Sequence, residues 1–447
     1  MNTPICDFIR EYQKSNPIRL HVPGHKGKGA LGIESWDITE IHGADSLYFA
    51  NGIIARSEKN ATDIFGSEKT FYSCEGSSLC IRAMLYMAMK CKRENQGSYV
   101  LATRNAHSSF ITGASLLGFD VEWIFGKDNY LSVDLNGDEL EKVLESVDIL
   151  PFALYVTSPD YLGNTLDISS LAKVCHKHGI LLIVDNAHGA YLKFLTPSRH
   201  PLDQGADLCC DSAHKTLPTL TGCAYLHISK NAPKELSLYG KEALSLFGST
   251  SPSYLMLASL DNVNLYLTSD YKKRLNSFCQ DVEMLKNRLR AYGYEIIDSE
   301  PLKLTIKPKS YGYTGIELGN ELEKMNIFPE FYDKDFLVLM LSCEIDCLSE
   351  LEKALISIEK RVSILDTPPK ITPPKRVFSI RESMFKNGCE TPISNCLGSV
   401  LSTGAISCPP AVSLVVSGEE INQSVIDACE YYGIDTLKVI KERQGLF

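Results

Sequence analysis

Nowhere in the 447 residues is there a run of about 18 apolar side chains, and a membrane-spanning helix is excluded on that ground. An excess of basic residues is missing as well. Lys and Arg number 45 against 55 Asp and Glu, a net charge of −10, which argues against general nucleic-acid or anionic-membrane binding. The first twenty residues, MNTPICDFIREYQKSNPIRL, lack a basic-then-apolar pattern, so no secretory leader is expected. Nor is there a disulfide framework. The fifteen cysteines are odd in number, scattered, and include the adjacent pair Cys209-Cys210. A reduced, cytoplasmic chain is the expectation. No internal repeat or low-complexity tract is visible. What remains is an ordinary globular composition, 44% hydrophobic and 22% charged, long enough for two to four domains.

The pattern along the chain divides it. The first 55 residues are rich in Gly, His and polar residues and read as an irregular arm. From about Ser67 to Leu226, short apolar runs alternate with helical segments. The runs are Tyr99–Thr103, Val121–Phe125, Ala153–Thr157, Leu181–Asp185, Asp207–Cys210 and Gly222–His227; the helices include Ser78–Lys92, Asp138–Ser146 and Ile168–His178. Such alternation predicts an α/β fold: an open, mainly parallel sheet with helices on both faces. Ligand groups in these sheets come from the carboxyl ends of strands. Further on, Leu275, Phe278, Val282, Leu285 and Leu289 recur at helical spacing. Lys303–Ile306, Phe336–Leu341 and a helix near Ser349–Arg361 suggest a smaller α+β unit. The proline-rich stretch 367–375 is the best linker. We therefore expect an arm plus large domain over 1–265, a small α+β domain over 266–366, and a C-terminal domain over 376–447.

Three pieces of the sheet region carry chemistry. Asp185 ends the apolar run LLIVD, where an acid points into the ligand crevice. About thirty residues later, just beyond the run DLCC, stands Ser212-Ala213-His214-Lys215-Thr216. Glu75-Gly76-Ser77-Ser78 precedes a helix, where backbone N–H groups and the helix dipole suit a phosphate. A lysine, a strand-end aspartate and a phosphate-type helix start are what pyridoxal phosphate needs. The amine captures the aldehyde, the acid keeps the pyridine nitrogen protonated, and the ring becomes an electron sink. Singly each piece has a bland reading: a structural acid, a solvated loop, a helix cap. In this order on this sheet they point one way.

Here the chain resembles the fold-type-I, aspartate-aminotransferase-like enzymes of the bacterial ornithine/lysine/arginine decarboxylase family, in its short form. The resemblance rests on Leu20-His21-Val22-Pro23-Gly24-His25-Lys26-Gly27, Gly43-Ala44-Asp45-Ser46-Leu47 and Phe65-Gly66-Ser67-Glu68-Lys69-Thr70-Phe71. Arg104-Asn105-Ala106-His107, Ser158-Pro159-Asp160-Tyr161-Leu162-Gly163 and Asp185-Asn186-Ala187-His188-Gly189 extend it. So do the lysine segment, Thr250-Ser251-Pro252-Ser253-Tyr254, Ala258-Ser259-Leu260-Asp261, Pro409-Pro410 and Gly418-Glu419. The arm motif and the Ser-Pro-Ser-Tyr segment are the specific ones, since aminotransferases sharing the fold lack them.

The resemblance implies a pyridoxal-phosphate-dependent decarboxylase that turns arginine, lysine or ornithine into the amine and CO2, a step toward polyamines. It assigns Lys215 to the cofactor linkage, Asp185 to the pyridine nitrogen, and His107 to ring stacking and protonation. His188 would lie beside the ring. Gly76, Ser77, Ser78, Ser212 and His214 would surround the phosphate. Ser249 and Thr250 would reach it from a neighbouring subunit, implying a homodimer or larger homo-oligomer with shared sites. No metal is implied.

Three departures stand out. Ser108 replaces the family's usual Lys after the stacking histidine, Asn186 replaces Glu after the pyridine Asp, and Cys408–Ser413 replaces a Tyr-Pro-Pro-Gly-Ile-Pro segment. They leave open a non-standard substrate or a weakened activity. An aminotransferase or lyase of the same fold, and a catalytically degenerate homologue, are the competing readings. Other signals fail on their own terms. His21 and His25 are separated by Pro23-Gly24 and cannot share a helix face as a zinc pair. Gly24–Gly29 lacks the Walker spacing. Asp45 and Asp160 are candidates for holding a substrate's cationic end, against the bland reading of solvated loop acids.

Overall fold

The computed structural model describes residues 1–126, 129–403 and 412–440. They form two compact units. Residues 1–97, 136–155 and 167–276 make the first; 98–135, 156–166 and the chain from 277 onwards make the second. Seven strands make the main sheet: β1 (Lys69–Ser73), β2 (Tyr99–Thr103), β3 (Asp120–Ile124), β4 (Ala153–Thr157), β5 (Leu181–Asp185), β6 (Leu208–Asp211) and β7 (Ala224–Ile228). Their order is β1-β7-β6-β5-β4-β2-β3. β5 runs parallel to β6 and β2 to β3, whereas β7 is antiparallel to both β6 and β1.

The apolar runs at 99–103, 153–157 and 181–185 coincide with strands, and the other three are displaced by one or two residues. β1 is the strand that hydrophobicity does not reveal. It lies at the sheet's edge, and two of its five residues, Thr70 and Ser73, are buried polar groups. Thr70 Oγ1 bonds His227 Nδ1 at 2.8 Å, and Ser73 Oγ donates to the Gly76 carbonyl at 3.0 Å. Tertiary partners satisfy these hydroxyls, so burial does not need an apolar side chain there.

β5 and β6 set the geometry of everything that follows. Both are covered on two faces, which is why LLIVD and LCCD read as continuous apolar runs. The register pairs Asp185 with Cys210. Side chains alternate along a strand, so Asp185 and Cys210 share one face of the sheet. Cys209 and Asp211 share the other.

The expectation of an irregular arm is corrected at its start. Pro4–Lys14 is a helix whose Ile5, Cys6 and Ile9 are buried. Its first turn is held by Asp261, fully buried, whose Oδ2 accepts the Ile5 and Cys6 N–H groups, each at 2.9 Å. A capping carboxylate 256 residues away in sequence leaves no local signature. Turns and bends follow, and the arm closes into the helix Ile53–Phe65.

In the second unit, β8 (Glu295–Ile296), β9 (Lys303–Lys307), β10 (Phe331–Tyr332) and β11 (Leu337–Met340) form an antiparallel sheet in the order β10-β11-β9-β8. Val282, Leu285 and Leu289 of the helix Tyr271–Tyr292 pack with this sheet in one apolar cluster. β12 (Gly388–Pro392) is paired to β13 (Thr436–Ile440), and a separate cluster, from Ile393 to Val439, is drawn from β13, the helix Gln423–Tyr432 and the segments around them. The stretch 367–375 between them has no regular secondary structure. None of the described cysteines forms a disulfide. Among the described residues no helix is long and apolar enough to cross a membrane.

Candidate active site

The site face of the first unit is built at the ends of β5 and β6. Asp185, the last residue of β5, is 2% exposed. Its Oδ2 accepts the Tyr155 hydroxyl at 3.0 Å, and its Oδ1 accepts the Ala187 N–H at 3.1 Å and the Cys210 thiol at 3.6 Å. A carboxylate offers about four lone-pair positions, so room is left for one further donor. Tyr155 was missed in the sequence, where it is one aromatic among the apolar residues of β4.

The turn after β5 brings His188 back beside the turn after β6. Lys215, in the short helix Ala213–Thr216, has its Nζ 3.0 Å from His188 Nε2. Ser212 Oγ donates to Ser77 Oγ at 2.9 Å, which joins the lysine segment to the start of the helix Gly76–Lys90. No side chain caps that helix, and Gly76 has φ +68°, a conformation suited to glycine. His214 Nδ1 lies 2.9 Å from the Cys223 carbonyl. Ser249 is also at this end: its N–H donates to Glu75 Oε1 of the same chain at 2.6 Å, and Ser249 and Thr250 are exposed.

These residues fit pyridoxal phosphate by the chemistry of their donors. A partly exposed amine on a short helix, a buried acid with acceptor capacity, and an uncapped helix start with two hydroxyls match the aldehyde, the ring nitrogen and the phosphate.

Behind the site, on the other face of the sheet, lies a second buried acid that sequence reasoning did not single out. Asp211 Oδ2 faces His200 Nε2 at 3.0 Å and His227 Nε2 at 3.2 Å, and its Oδ1 accepts the Asn186 amide at 2.7 Å. All of these side chains are buried. Burial pushes the Asp211 carboxyl up, but the two imidazoles outweigh it and hold it well below the usual carboxylate range. Burial drives His227 down, against the pull of Asp211. His200, Cys209 and Asp211 come close enough to share a metal ion. However, His200 Nδ1 accepts the Leu202 N–H at 3.3 Å, so its Nε2 is the N–H that faces Asp211. The group is closed by hydrogen bonds.

The second unit holds His107. It caps the helix Ser108–Leu117, its Nδ1 accepting the Ser109 N–H at 3.1 Å, and its backbone bridges to Val412. Three residues earlier, Arg104 donates to Glu419 at 2.9 Å; both are buried. The guanidinium also lies 5.1 Å from the Trp123 ring and 5.6 Å from the Phe125 ring. Burial lowers the Arg104 pKa and raises that of Glu419, each opposed by the partner's charge. Two motifs 315 residues apart, Arg-Asn-Ala-His and Gly-Glu, are thereby one ion pair. Cys408–Ala411 of the departing segment lie outside the described residues.

Asp45 and Asp160 are not poised for a substrate. Asp45 accepts backbone N–H groups from Asn51, Gly52, Ile54 and Ala55, fixing the start of a helix. Asp160 accepts from Leu162, from Asn164 and from the Ser132 hydroxyl, and burial raises its pKa. Both carboxylates are consumed by their own loops.

A family model described as the Orn/Lys/Arg decarboxylase major domain matches residues 3–299. The chain belongs to that family. It is an amino-acid decarboxylase, and the family implies pyridoxal phosphate as its cofactor. An arginine decarboxylase of Halalkalibacterium halodurans is 25% identical, over 99% of each chain. An arginine decarboxylase of Bacillus subtilis is 27% identical over 95% of this chain and 92% of its own length. Among solved structures, lysine decarboxylase A of Pseudomonas aeruginosa matches with a TM-score of 0.81 at 15% identity, over 98% of this chain and 80% of its own. The E. coli constitutive lysine decarboxylase gives 0.76 at 17%, over 98% and 82%. An alanine–glyoxylate aminotransferase of Nostoc matches at 0.55 and 18%, over 68% and 86%. At such identities the structural likeness is one of fold, and that fold is the type-I fold expected.

Proposed function

We propose that this decarboxylase acts on arginine, lysine or ornithine, releasing CO2 and the corresponding amine. The observation that carries the reading is the 3.0 Å approach of Lys215 to His188 beside the buried Asp185, in a chain of this family. Bound pyridoxal phosphate supplies an aldehyde to capture amines and a ring that accepts the electron pair left when CO2 departs.

The residues divide the remaining work. Lys215 would hold the cofactor through its Nζ and yield that place to the substrate amine. Asp185, shielded from water, would face the pyridine nitrogen and keep a proton there; Tyr155 fixes its orientation. The hydroxyls of Ser77 and Ser212 with the N–H groups at Gly76–Ser78 would bind the phosphate, with His214 beside them. His188 exchanges a proton with Lys215 Nζ. By the family's pattern His107 would stack on the ring, and it or Lys215 would return a proton to the substrate Cα. Low polarity around the substrate carboxylate would favour a transition state in which its charge is dispersed.

The assembly belongs to the same proposal: a cytoplasmic homodimer or larger homo-oligomer, with Ser249 and Thr250 serving a neighbouring subunit's site. So does the division into 1–265, 266–366 and 376–447, which the separate apolar clusters around β8–β11 and around β13 with the helix Gln423–Tyr432 support. An amine-product screen with arginine, lysine, ornithine and their shorter analogues tests the reaction. CO2 and an amine from one of them are expected. A keto acid instead of an amine would overturn the reading.

A further inference from the structure

The departure at Asn186 has a partner. Asn186 follows Asp185, but its side chain turns to the reverse face of the sheet and donates to Asp211 Oδ1 at 2.7 Å. The backbone agrees: the Asn186 N–H donates to the Cys210 carbonyl at 3.0 Å. A glutamate at 186, the family's usual residue, would bring a second carboxylate against Asp211 in a fully buried setting. Two acids so close cannot both ionise. A negative charge on one side of this contact requires a neutral donor on the other.

Asp211 is also the last residue before Ser212-Ala213-His214-Lys215. The Asn186–Asp211 bond therefore ties the turn that carries Asp185 and His188 to the turn that carries Lys215. It does so from behind, without entering the site. His200 and His227 anchor Asp211, and Thr70 of β1 in turn bonds the His227 ring. The approach is tight. A Cβ at Gly189 would fall 2.0 Å from Asn186 Oδ1, an oxygen that is buried and has no hydrogen-bond partner.

We propose that Asp211 is a positioning residue for the cofactor lysine, and that Asn186 and Asp211 form one exchangeable unit, a single buried carboxylate shared between the ends of β5 and β6. The charge can sit on either strand, and this chain carries it on β6. Isosteric exchange is feasible. Asn at 211 would accept from His200 and His227 through its oxygen and donate to Asp at 186 through its amide.

The inference rests on Lys215 being the cofactor lysine, and the test keeps the two separable. Apo-protein is titrated with pyridoxal phosphate, following the visible absorbance band, for wild type, Asp211→Asn, Asn186→Asp, Asn186→Ala and the double exchange N186D/D211N. Melting of each apo-protein is recorded alongside. The single variants should weaken cofactor affinity about tenfold, by losing the bond or by opposing two acids. The double exchange should return affinity to within about threefold of wild type, as coupled neighbours do. A loss in the double variant equal to the summed single losses would overturn exchangeability. Unchanged affinity in folded Asn186→Ala would overturn the positioning role, and that variant decides the matter even where Asp211→Asn does not fold. No visible band in wild type would instead overturn the reading of the site itself.

Discussion

Asp185 and Asp211 end neighbouring parallel strands, are both buried, and do different work. Asp185 lies on the face that holds Lys215 and His188, and its donors leave it spare acceptor capacity. Asp211 lies on the opposite face, with two imidazoles and an amide closing around it. The register decides the difference. Asp185 pairs with Cys210, and Asp211 stands one residue further along, so strand alternation sends them to opposite faces. On the proposed reading, the same residue type at nearly the same height serves the cofactor on one face and is a structural anion on the other.

Substitutions can break this contrast, and the largest effect belongs to the site face. Lys215→Ala should abolish the visible band of the bound cofactor and lower decarboxylation about a thousandfold or more, read by CO2 release. Asp185→Asn keeps the shape but loses the charge. Turnover should fall about a hundredfold with the melting temperature little changed. Asp211→Asn should do the reverse in emphasis, costing about 1–3 kcal/mol in denaturant unfolding and only about tenfold in cofactor affinity. Equal effects from the two aspartates would erase the distinction between the faces.

The Arg104–Glu419 pair extends the comparison to the second unit. Glu419→Ala leaves a buried guanidinium without its carboxylate and should destabilise by about 3–5 kcal/mol, measured by urea unfolding. The pH dependence of stability follows from the reverse face. Both the depressed Asp211 carboxyl and the depressed His227 ring bind protons less readily folded than unfolded, so stability falls as pH falls. The His227 part is complete above about pH 6.5 and is lost below it; the Asp211 part is complete above about pH 3.9 and is lost on further acidification. His227→Gln should flatten the first decline in apo-protein melting between pH 7 and 5. The smallest effect expected is that of Ser77→Ala, which removes the Ser212 hydrogen bond and should weaken cofactor binding about fivefold.

What the sequence made legible was local. LLIVD, the Ser-Ala-His-Lys segment and the turn before a helix each combine a periodicity with a residue type of known chemistry, so strand ends and site residues could be placed together. The reverse face was not legible, because Thr70, Asn186, His200, Asp211 and His227 meet only through the register of β1, β7, β6 and β5. Asp261 capping the first helix was hidden for the same reason. Asp45 and Asp160 misled in the opposite direction. An acid in a loop looks available until the backbone N–H groups that occupy it are seen.

The most direct test of the account is to reduce the cofactor-loaded protein with borohydride and locate the modified residue by peptide mass spectrometry. The account predicts a pyridoxyl group on Lys215 and loss of the visible band. Modification at another lysine, or none, would contradict it.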